Sequence, residues 1–287
     1  MRRWTVLVLA AGLFSAAAFE HGVPAIEDRE HFLETATILS QEPVAKGVTK
    51  SKKAILTDGH ITHAAQIQTV DIYMPLFKGV DGSEQREFRD SWKFNVAAYR
   101  LAELLRLTDM VPVSVERIVD GKFAAVTWWV DDVLMDERER VAKNIQPPNL
   151  YRWTEQTNTI RIFDQLIYNM DRSRDNLLIS ADWSLWMIDH TRAFRPWPTL
   201  RNPEMVTLCT AEFFRTLTAL TRADVTRDLG QYLTEDEISG LMVRRDLIIK
   251  LLASHGLRSG MYQPDALAVF PKTVVPRMLL RTEEVSK

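Results

Sequence analysis

The chain has 287 residues, 46% hydrophobic and 26% charged, so it can bury one large core or two modest ones. Without Arg2 and Arg3 the 36 basic residues become 34 against 38 acidic ones, a net charge of −4. That balance excludes the basic footprint of a nucleic-acid-binding domain. The single cysteine, Cys209, excludes an intramolecular disulfide and a multi-cysteine zinc site, and it is predicted to be a buried thiol.

Residues 1–18 have the pattern of a secretory signal peptide. Arg2 and Arg3 precede an apolar run over residues 4–14, and the small residues 15–18 offer an A-x-A cleavage site. The alternative is a membrane anchor, but the apolar run is shorter than the roughly 20 residues that span a bilayer. We therefore predict cleavage after Ala18 and an exported product, periplasmic or secreted, without a stable membrane span.

The next part of the chain predicts a leading helical segment and then a β-rich lobe. Residues 19–43 are the leading segment, with apolar residues at helical spacing over residues 27–39. Residues 44–131 form the predicted N-lobe, in which two hairpins flank one long helix over residues 84–107. Asp58-Gly59 and Asp120-Gly121 are the hairpin turns. The expected unit is compact and of the α+β class.

The second half of the chain predicts a mainly helical lobe. Residues 132–149 are charged, contain Pro147-Pro148 and suit a linker. The predicted C-lobe covers residues 150–260, where Thr234 and Glu237 form a capping box for a helix that ends near Ser254. Residues 261–287 are predicted to be an irregular tail.

Three polar residues mark a candidate site at the start of this C-lobe. Asn176 directly precedes the apolar run 177–179, and Asp189 directly follows the apolar run 185–188, with a turn-prone sequence between the runs. A hairpin would bring its two ends to about 5 Å, the spacing of neighbouring strands. An amide oxygen and a carboxylate at one rim suit Mg²⁺ or Mn²⁺ with the phosphates of a nucleotide such as ATP. Asp171, five residues before Asn176, would orient or deprotonate an accepting hydroxyl.

The stretch Asp171-Arg-Ser-Arg-Asp-Asn176, followed by Asp189, resembles the D-R-H-x-x-N…D-F-G pattern of phosphatidylinositol 3- and 4-kinases. HipA-like kinases and secretory-pathway casein kinases share that wider protein-kinase-like fold. The resemblance implies a two-lobed α+β fold, with Asp171 as the catalytic residue and Asn176 and Asp189 as the metal ligands. The alternative is that Asn and Asp are here only good turn formers around a hairpin.

The sequence departs from that pattern in both lobes. Ser173 stands where the family has His, and Asp189-His190-Thr191 stands for D-F-G. The strand that should carry a phosphate-pairing lysine has none, and Gln68 occupies its position. On the following helix Asn95 or Glu103 would be the partner, so a neutral Gln68–Asn95 pair would replace the ion pair.

Other residues could supply the missing positive charge or contact the nucleotide. Lys50, Lys52 and Lys53 belong to a basic loop placed before the first strand, where a phosphate-covering loop belongs; the alternative is a solvated basic turn. The backbone around Trp129 lies where a hinge would meet an adenine ring. His190 and Arg192 would either contact substrate or phosphate, or brace the loop after Asp189. His60 and His63 are predicted to be surface histidines rather than a metal pair.

Three functions remain open from the sequence. The first is an atypical kinase that transfers a phosphoryl group from a Mg-nucleotide to a protein or small-molecule hydroxyl. The second is a pseudokinase that binds nucleotide or a partner without turnover, because Gln68 and Asn95 replace a charged pair. The third is a structural domain with no ligand.

Overall fold

The computed structural model describes residues 25–44, 51–79, 82 and 84–254. The predicted signal peptide, Lys50 and the predicted tail therefore lie outside the described residues. The N-terminal region contains α1 (Ile26–Thr35), β1 (Thr37–Pro43), β2 (Lys52–Thr57), β3 (Thr62–Gln68), β4 (Asp71–Lys78), β5 (Glu84–Ser91), α2 (Lys93–Leu105), β6 (Ser114–Val119) and β7 (Lys122–Trp128). The C-terminal region contains β8 (Val133–Asp136), α3 (Glu137–Ala142), α4 (Leu150–Leu166), β9 (Leu177–Ser180), β10 (Leu185–Met187), α5 (Ala211–Ala219), α6 (Arg222–Leu229) and α7 (Glu235–Ser254).

The strands of the described residues form three separate antiparallel sheets. The largest has five strands in the order β1-β2-β3-β7-β6, while β4 and β5 form a two-stranded ribbon of their own. In the C-terminal region β10, β9 and β8 form a small sheet, and the remaining elements are helical. The predicted α+β class, with a β-rich N-terminal region and a helical C-terminal region, is confirmed. This arrangement is consistent with a kinase-like two-lobe fold.

Three segments differ from the predicted secondary structure. The leading helix ends at Thr35, and β1 follows it and pairs with β2, so the first sheet begins one strand earlier than predicted. The predicted helix over residues 84–107 begins only at Lys93, because residues 84–91 pair with β4 as β5. The predicted linker contains β8 and α3, and β8 pairs with β9.

The five-stranded sheet has one face covered by α1. The strand register places Ala54, Ala65 and Trp128 side by side on that face. The ring of Phe32 from α1 packs edge-on against Trp128 with 5.8 Å between ring centroids. Since neighbouring residues of a strand point to opposite faces, Lys53, Gln66 and Thr127 share the other face.

The predicted capping box is confirmed at the start of α7. The Glu237 carboxylate accepts a hydrogen bond from the Thr234 N–H at 2.8 Å, and the Glu237 N–H donates to the Thr234 hydroxyl at 3.3 Å. Cys209 is buried in the apolar core, as predicted, and burial raises the pKa of its thiol to about 12. In the part of the chain that the structure describes, no helix is long and apolar enough to cross a membrane.

Candidate functional site

Asn176 and Asp189 lie at one rim of the β9–β10 hairpin. Met187 pairs with Leu177 in the strand register, and the Ile188 N–H donates to the carbonyl oxygen of Asn176 at 3.1 Å. The hairpin predicted from the two apolar runs is confirmed. The residues directly before β9 and directly after β10 are therefore neighbours, and an amide and a carboxylate share this rim.

Asp189 is a half-buried carboxylate in an electronegative setting. Burial raises its pKa, the hydrogen bond from the Thr191 hydroxyl at 3.0 Å opposes that shift, and the charges of Asp90 and Asp171 raise the pKa further. Asp189 also has a positive φ of 55°, a left-handed conformation that Asp and Asn adopt more readily than most other residues. A divalent cation beside Asp189 would favour its charged form.

Arg172 joins the loop that carries Asp171 to the rim of the hairpin. Its guanidinium forms a buried ion pair with Asp164 of α4, with Nε and Oδ2 3.0 Å apart. The same side chain donates to the carbonyl oxygens of Asn176 at 3.0 Å and Ile188 at 2.8 Å. One planar group thus fixes both ends of the hairpin relative to α4.

Asp171 lies in the connection between α4 and β9, two residues after Asn169. The buried Asn169 side chain donates to Asp164 at 3.0 Å and accepts from the Asp171 N–H at 3.0 Å, so the backbone of Asp171 is fixed. The Asn176 amide nitrogen donates to the Asp171 carbonyl oxygen at 3.3 Å. The amide oxygen of Asn176 is then the atom left for a cation. The structure brings Asp171 and Asn176 into one hydrogen-bonded loop.

Arg192 pairs with Asp171 across the site. Its Nη1 lies 3.1 Å from the Asp171 Oδ2, and its Nε donates to the Oδ2 of Asp90 at 3.0 Å. The predicted alternatives for Arg192 were contact with substrate or bracing of the loop. In this structure it braces Asp171, whose side chain is 52% exposed and could still reach an acceptor.

His190 is buried. Its side chain is 2% exposed and lies edge-on to Phe163, with 6.0 Å between ring centroids. Burial lowers the pKa of His190 well below its usual value, and the charge of Arg172 lowers it further. Direct contact of the imidazole with a substrate is therefore excluded in this conformation, and the bracing alternative is favoured.

Asn95 links α2 to the same loop. Its side-chain oxygen accepts a hydrogen bond from the backbone N–H of His190 at 2.8 Å. Glu103, the other predicted partner for Gln68, pairs instead with Arg100 at 2.8 Å. A Gln68–Asn95 hydrogen bond stays a prediction, while the contact that the structure gives Asn95 is with the loop after Asp189.

Gln68 ends β3 beside this loop. Its side chain is 1% exposed and, by the strand register, shares a sheet face with Gln66 and Lys53. Two residues further on, the Val70 carbonyl accepts from the Trp92 N–H at 2.7 Å, and the Ser91 N–H donates to the Thr191 carbonyl at 2.8 Å. The end of β3 therefore lies close to the residues that follow Asp189.

The predicted basic residues divide between two sheet faces. Lys52 lies on the face covered by α1, where its Nζ donates to the Gln41 amide oxygen at 2.9 Å and lies 3.4 Å from an Asp120 carboxylate oxygen. Lys53 lies on the opposite face, with its Nζ 4.3 Å from the Trp129 ring centroid. Because alternate strand residues diverge, Lys52 is directed away from any ligand that Lys53 contacts.

The basic loop itself has a different place from the predicted one. The Val44 N–H donates to the Ser51 carbonyl at 2.9 Å, so residues 45–50 connect the paired strands β1 and β2 rather than precede the first strand. The strand before the loop was missed because residues 37–43 were assigned to the leading helical segment. Lys50 itself falls outside the described residues.

Trp129 follows β7, where the N-terminal sheet ends. Its backbone N–H donates to the Ala64 carbonyl oxygen at 3.2 Å. The sheet therefore already uses this donor, and nucleotide binding by the backbone around Trp129 stays a prediction for its remaining backbone groups. The Trp129 ring remains beside Lys53 on the sheet face that α1 leaves open.

The neighbouring aromatic and histidine residues are structural. His63 is half-buried rather than on the surface, because it stacks on Trp128 with 3.6 Å between ring centroids and its Nε2 lies 2.9 Å from Asp131. Among the described residues, no group of three or more His, Cys, Asp or Glu side chains has the geometry of a metal site. The His60 and His63 pair therefore gives no sign of a separate metal centre.

Comparisons with known proteins match this chain by structure and not by sequence. No protein-family model matches the chain, and no curated protein matches it. Among solved structures, the crystal structure of a Helicobacter pylori proinflammatory kinase, CtkA, is similar over 79% of this chain and 98% of that chain. The sequence identity is 9% and the TM-score is 0.48.

Asp90, Asp164 and Asn169 contribute to the site but were not predicted from the sequence. Asp90 was missed because its segment was predicted to be helical. In the structure Arg86, Phe88 and Asp90 occupy every second position of a strand. Asp164 and Asn169 lie just before the Asp171 motif. Their signal was the pair of short polar side chains around the end of α4, which can fix a loop by hydrogen bonds to backbone groups.

Proposed function

We propose that this chain is an atypical kinase that binds a Mg-nucleotide between the open sheet face and the β9–β10 rim. The observation that carries the proposal is the shared rim of Asn176 and Asp189, held against the Asp171 loop by Arg172. A positioned hydroxyl acceptor group and two oxygen ligands for a cation are the parts that phosphoryl transfer needs. The resemblance of the motif to phosphatidylinositol 3- and 4-kinases supports the same assignment.

The residues present fit a magnesium ion. Mg²⁺ prefers oxygen ligands and takes one or two from the protein, with water and phosphate oxygens in the other positions. The Asn176 amide oxygen and the Asp189 carboxylate would hold it, and the buried setting that raises the pKa of Asp189 suits a cation. When bound, the ion would neutralise charge on the donor phosphates.

The proposed reaction moves the terminal phosphoryl group of ATP to a hydroxyl oxygen. The bond from that phosphorus to the ADP oxygen breaks, a bond to the acceptor oxygen forms, and the hydroxyl proton passes to the Asp171 carboxylate. The Asp171 side chain is exposed enough to contact the acceptor. Lys53, on the sheet face opposite α1, would offset part of the negative charge of the donor phosphates, which the neutral Gln68 cannot do.

Nucleotide binding is tested by the thermal unfolding of the protein with Mg-ATP, with ATP and a chelator, and without additions. A ligand at 100 times its Kd stabilises the folded state by about 2.7 kcal/mol, so the wild-type melting temperature should rise only when metal and ATP are both present. Asp189→Asn should abolish the rise, because Asn tolerates the left-handed backbone but lacks the charge.

Asp182→Asn is the matched control for that experiment. Asp182 is an exposed carboxylate at the opposite end of the same hairpin, hydrogen-bonded to Ser180 and Ser184. This variant should keep the full metal-dependent rise, measured from its own melting temperature. No rise for wild type at millimolar Mg-ATP would contradict the proposal and leave a partner-binding pseudokinase or a structural domain.

A pseudokinase is the second candidate, and Gln68 is the observation that favours it. A neutral, buried side chain at the end of β3 cannot pair with donor phosphates as a lysine would. Transfer of label from [γ-³²P]ATP to the protein, to added acceptors or to water separates the two candidates. Binding without any transfer would establish the pseudokinase, whereas a higher transfer rate in Gln68→Lys with Asn95→Glu would support a weakened ion pair.

We further propose that residues 1–18 direct export. The support is the sequence pattern alone: two arginines, an apolar run and a small-residue cleavage site. Expression of the whole chain, followed by N-terminal sequencing of the exported product, should give Phe19 as the first residue. Recovery only of uncleaved protein in the cytoplasm would overturn this proposal.

A further inference from the structure

Asp90 is a buried carboxylate at the edge of the candidate site. It is the next-to-last residue of β5 and is 2% exposed. Its Oδ2 accepts from the Arg192 Nε at 3.0 Å, while its Oδ1 is buried and has no hydrogen-bond partner among the described residues. Burying a carboxylate with an unsatisfied oxygen is costly, and such groups occur where another requirement outweighs stability.

Arg192 connects this buried carboxylate to Asp171. Its Nε faces Asp90 and its Nη1 lies 3.1 Å from Asp171, so the planar guanidinium spans the two carboxylates. The same group lies over the Phe88 ring at 5.3 Å, which restricts its rotation. Asp171 is half-exposed and would otherwise be free to change rotamer.

Backbone hydrogen bonds hold the three segments in this arrangement. The Ser91 N–H donates to the Thr191 carbonyl at 2.8 Å, which fixes the residue after Asp90 to the residue before Arg192. The Met170 N–H donates to the Arg192 carbonyl at 3.3 Å, which fixes the residue before Asp171 to Arg192 itself. Both ends of the Asp90–Arg192–Asp171 bridge are therefore anchored through the main chain.

We propose that Asp90 is a positioning residue, which acts through Arg192 to hold the Asp171 carboxylate in the orientation that phosphoryl transfer requires. The inference deepens the proposed function and rests on it. Asp90 would contact neither nucleotide nor acceptor. Its loss should therefore lower turnover without weakening Mg-ATP binding, since misplacement of a reacting group by about 1 Å can cost 100-fold in rate.

The test compares wild type, Asp90→Asn, Arg192→Gln and the double variant, with [γ-³²P]ATP and Mg²⁺ as probes. Each single variant should lower kcat by about 10- to 100-fold, with KM for ATP within twofold of wild type. The double variant should be no slower than Arg192→Gln, because the two residues act as one unit. Additive losses, an unchanged kcat, or a raised KM would overturn the proposal.

Glu237→Gln is the matched control, because Glu237 is also a buried carboxylate and pairs with Arg89, the neighbour of Asp90 in β5, at 2.8 Å. It should keep the wild-type kcat. If Asp90→Asn does not fold, the kcat and KM of Arg192→Gln and Arg192→Lys test the proposal instead. The Arg192 side chain is partly exposed, so these variants should fold. Wild type that binds no Mg-ATP, or binds it without transfer, would overturn the proposed kinase function and this inference together. Active wild type with normal Asp90→Asn turnover would overturn the inference alone.

Discussion

Arg172 shows how one side chain can set the geometry of a site without contacting a ligand. Its ion pair with Asp164 is buried on both sides, and two further hydrogen bonds go to main-chain carbonyls at the ends of the hairpin. The motif predicted Asp171, Asn176 and Asp189 as functional residues. It gave no role to Arg172, because that role depends on Asp164, which lies outside the motif, eight residues earlier in α4, and meets the guanidinium only after folding.

Arg172→Met should destabilise the protein strongly. The substitution leaves the Asp164 carboxylate buried with Asn169 as its remaining donor among the described residues, and it removes one donor from each of two carbonyls. Breaking a buried ion pair from one side costs about 3–5 kcal/mol. Urea unfolding followed by circular dichroism measures the loss. Arg172→Met with Asp164→Leu should recover part of it, and a loss below about 1 kcal/mol for the single variant would contradict the buried pairing.

The residue-level site was predictable where the chain itself brings residues together. Asn176 and Asp189 flank a single hairpin, so alternation and turn chemistry were sufficient to place them at one rim. Asp90 and Asn95 reach the loop after Asp189 from distant segments, and no local pattern encodes those contacts. Lys52 and Lys53 were grouped because they are adjacent in sequence, whereas strand alternation separates them.

At the scale of elements, α7 packs against the segment after Asp189 with almost no space between backbones. Gly240 is in the interior of α7, and a Cβ added there would lie 2.5 Å from the Pro196 carbonyl oxygen. Arg244, one turn later, uses the same close approach to donate to the carbonyls of Arg195 at 2.8 Å and Trp197 at 2.6 Å. The glycine is therefore required by contact between elements.

Gly240→Ala should destabilise the protein, although a Gly to Ala change inside a helix usually stabilises it. In a helix interior, Gly to Ala ordinarily stabilises by about 1 kcal/mol. Here the clash with a backbone oxygen should lower stability by about 2 kcal/mol or more, because an overpacked site must shift the main chain. Thermal unfolding compared with Val243→Ala, at an exposed position of the same helix, tests this. A higher melting temperature for Gly240→Ala would refute the close approach.

The element-level prediction succeeded for α4, the β9–β10 hairpin and α7, where periodicity and capping residues act locally. It was wrong for β5 and β1. The sequence of β5 carries three charged residues among its exposed positions, and its apolar Phe88 fits a helical period as well as a strand period. Residues 84–91 form a strand because they pair with β4. The helical pattern of the residues that follow extends back over them, so the sequence predicted one longer helix.

At the scale of the whole molecule, two arginines, one of them fully buried, connect the β4–β5 ribbon to the helical region. Arg195 is fully buried and donates to the carbonyls of Glu87 and Arg89 at 2.9 Å each. Burial lowers the pKa of Arg195 to about 10, against the raising effect of Glu237, so the side chain keeps its charge at neutral pH. Arg89 adds the ion pair with Glu237 at the start of α7.

Arg195→Met should loosen this connection. It keeps most of the side-chain volume but removes both hydrogen bonds to β5, with an expected loss of about 2–3 kcal/mol. Relative to wild type, amide hydrogen exchange in the variant should become faster in β4 and β5, with little change in α4. Arg227→Met, which removes an exposed arginine paired with Asp224 and Asp228, should leave stability and exchange close to wild type, because solvent screens exposed ion pairs. Equal protection of β5 in wild type and Arg195→Met would contradict the connection.

The strand order β1-β2-β3-β7-β6 also sets a sequence of events during protein synthesis. β1, β2 and β3 are consecutive and can pair as they leave the ribosome, but the second neighbour of β3 ends only at Trp128. The roughly 60 residues between Gln68 and Trp128 take about 3 to 12 seconds to translate at 5–20 residues per second. For that interval β3 is an open edge that another nascent chain can pair with. Slower translation should therefore lower the yield of soluble protein, and chaperones that shield strand edges should restore it.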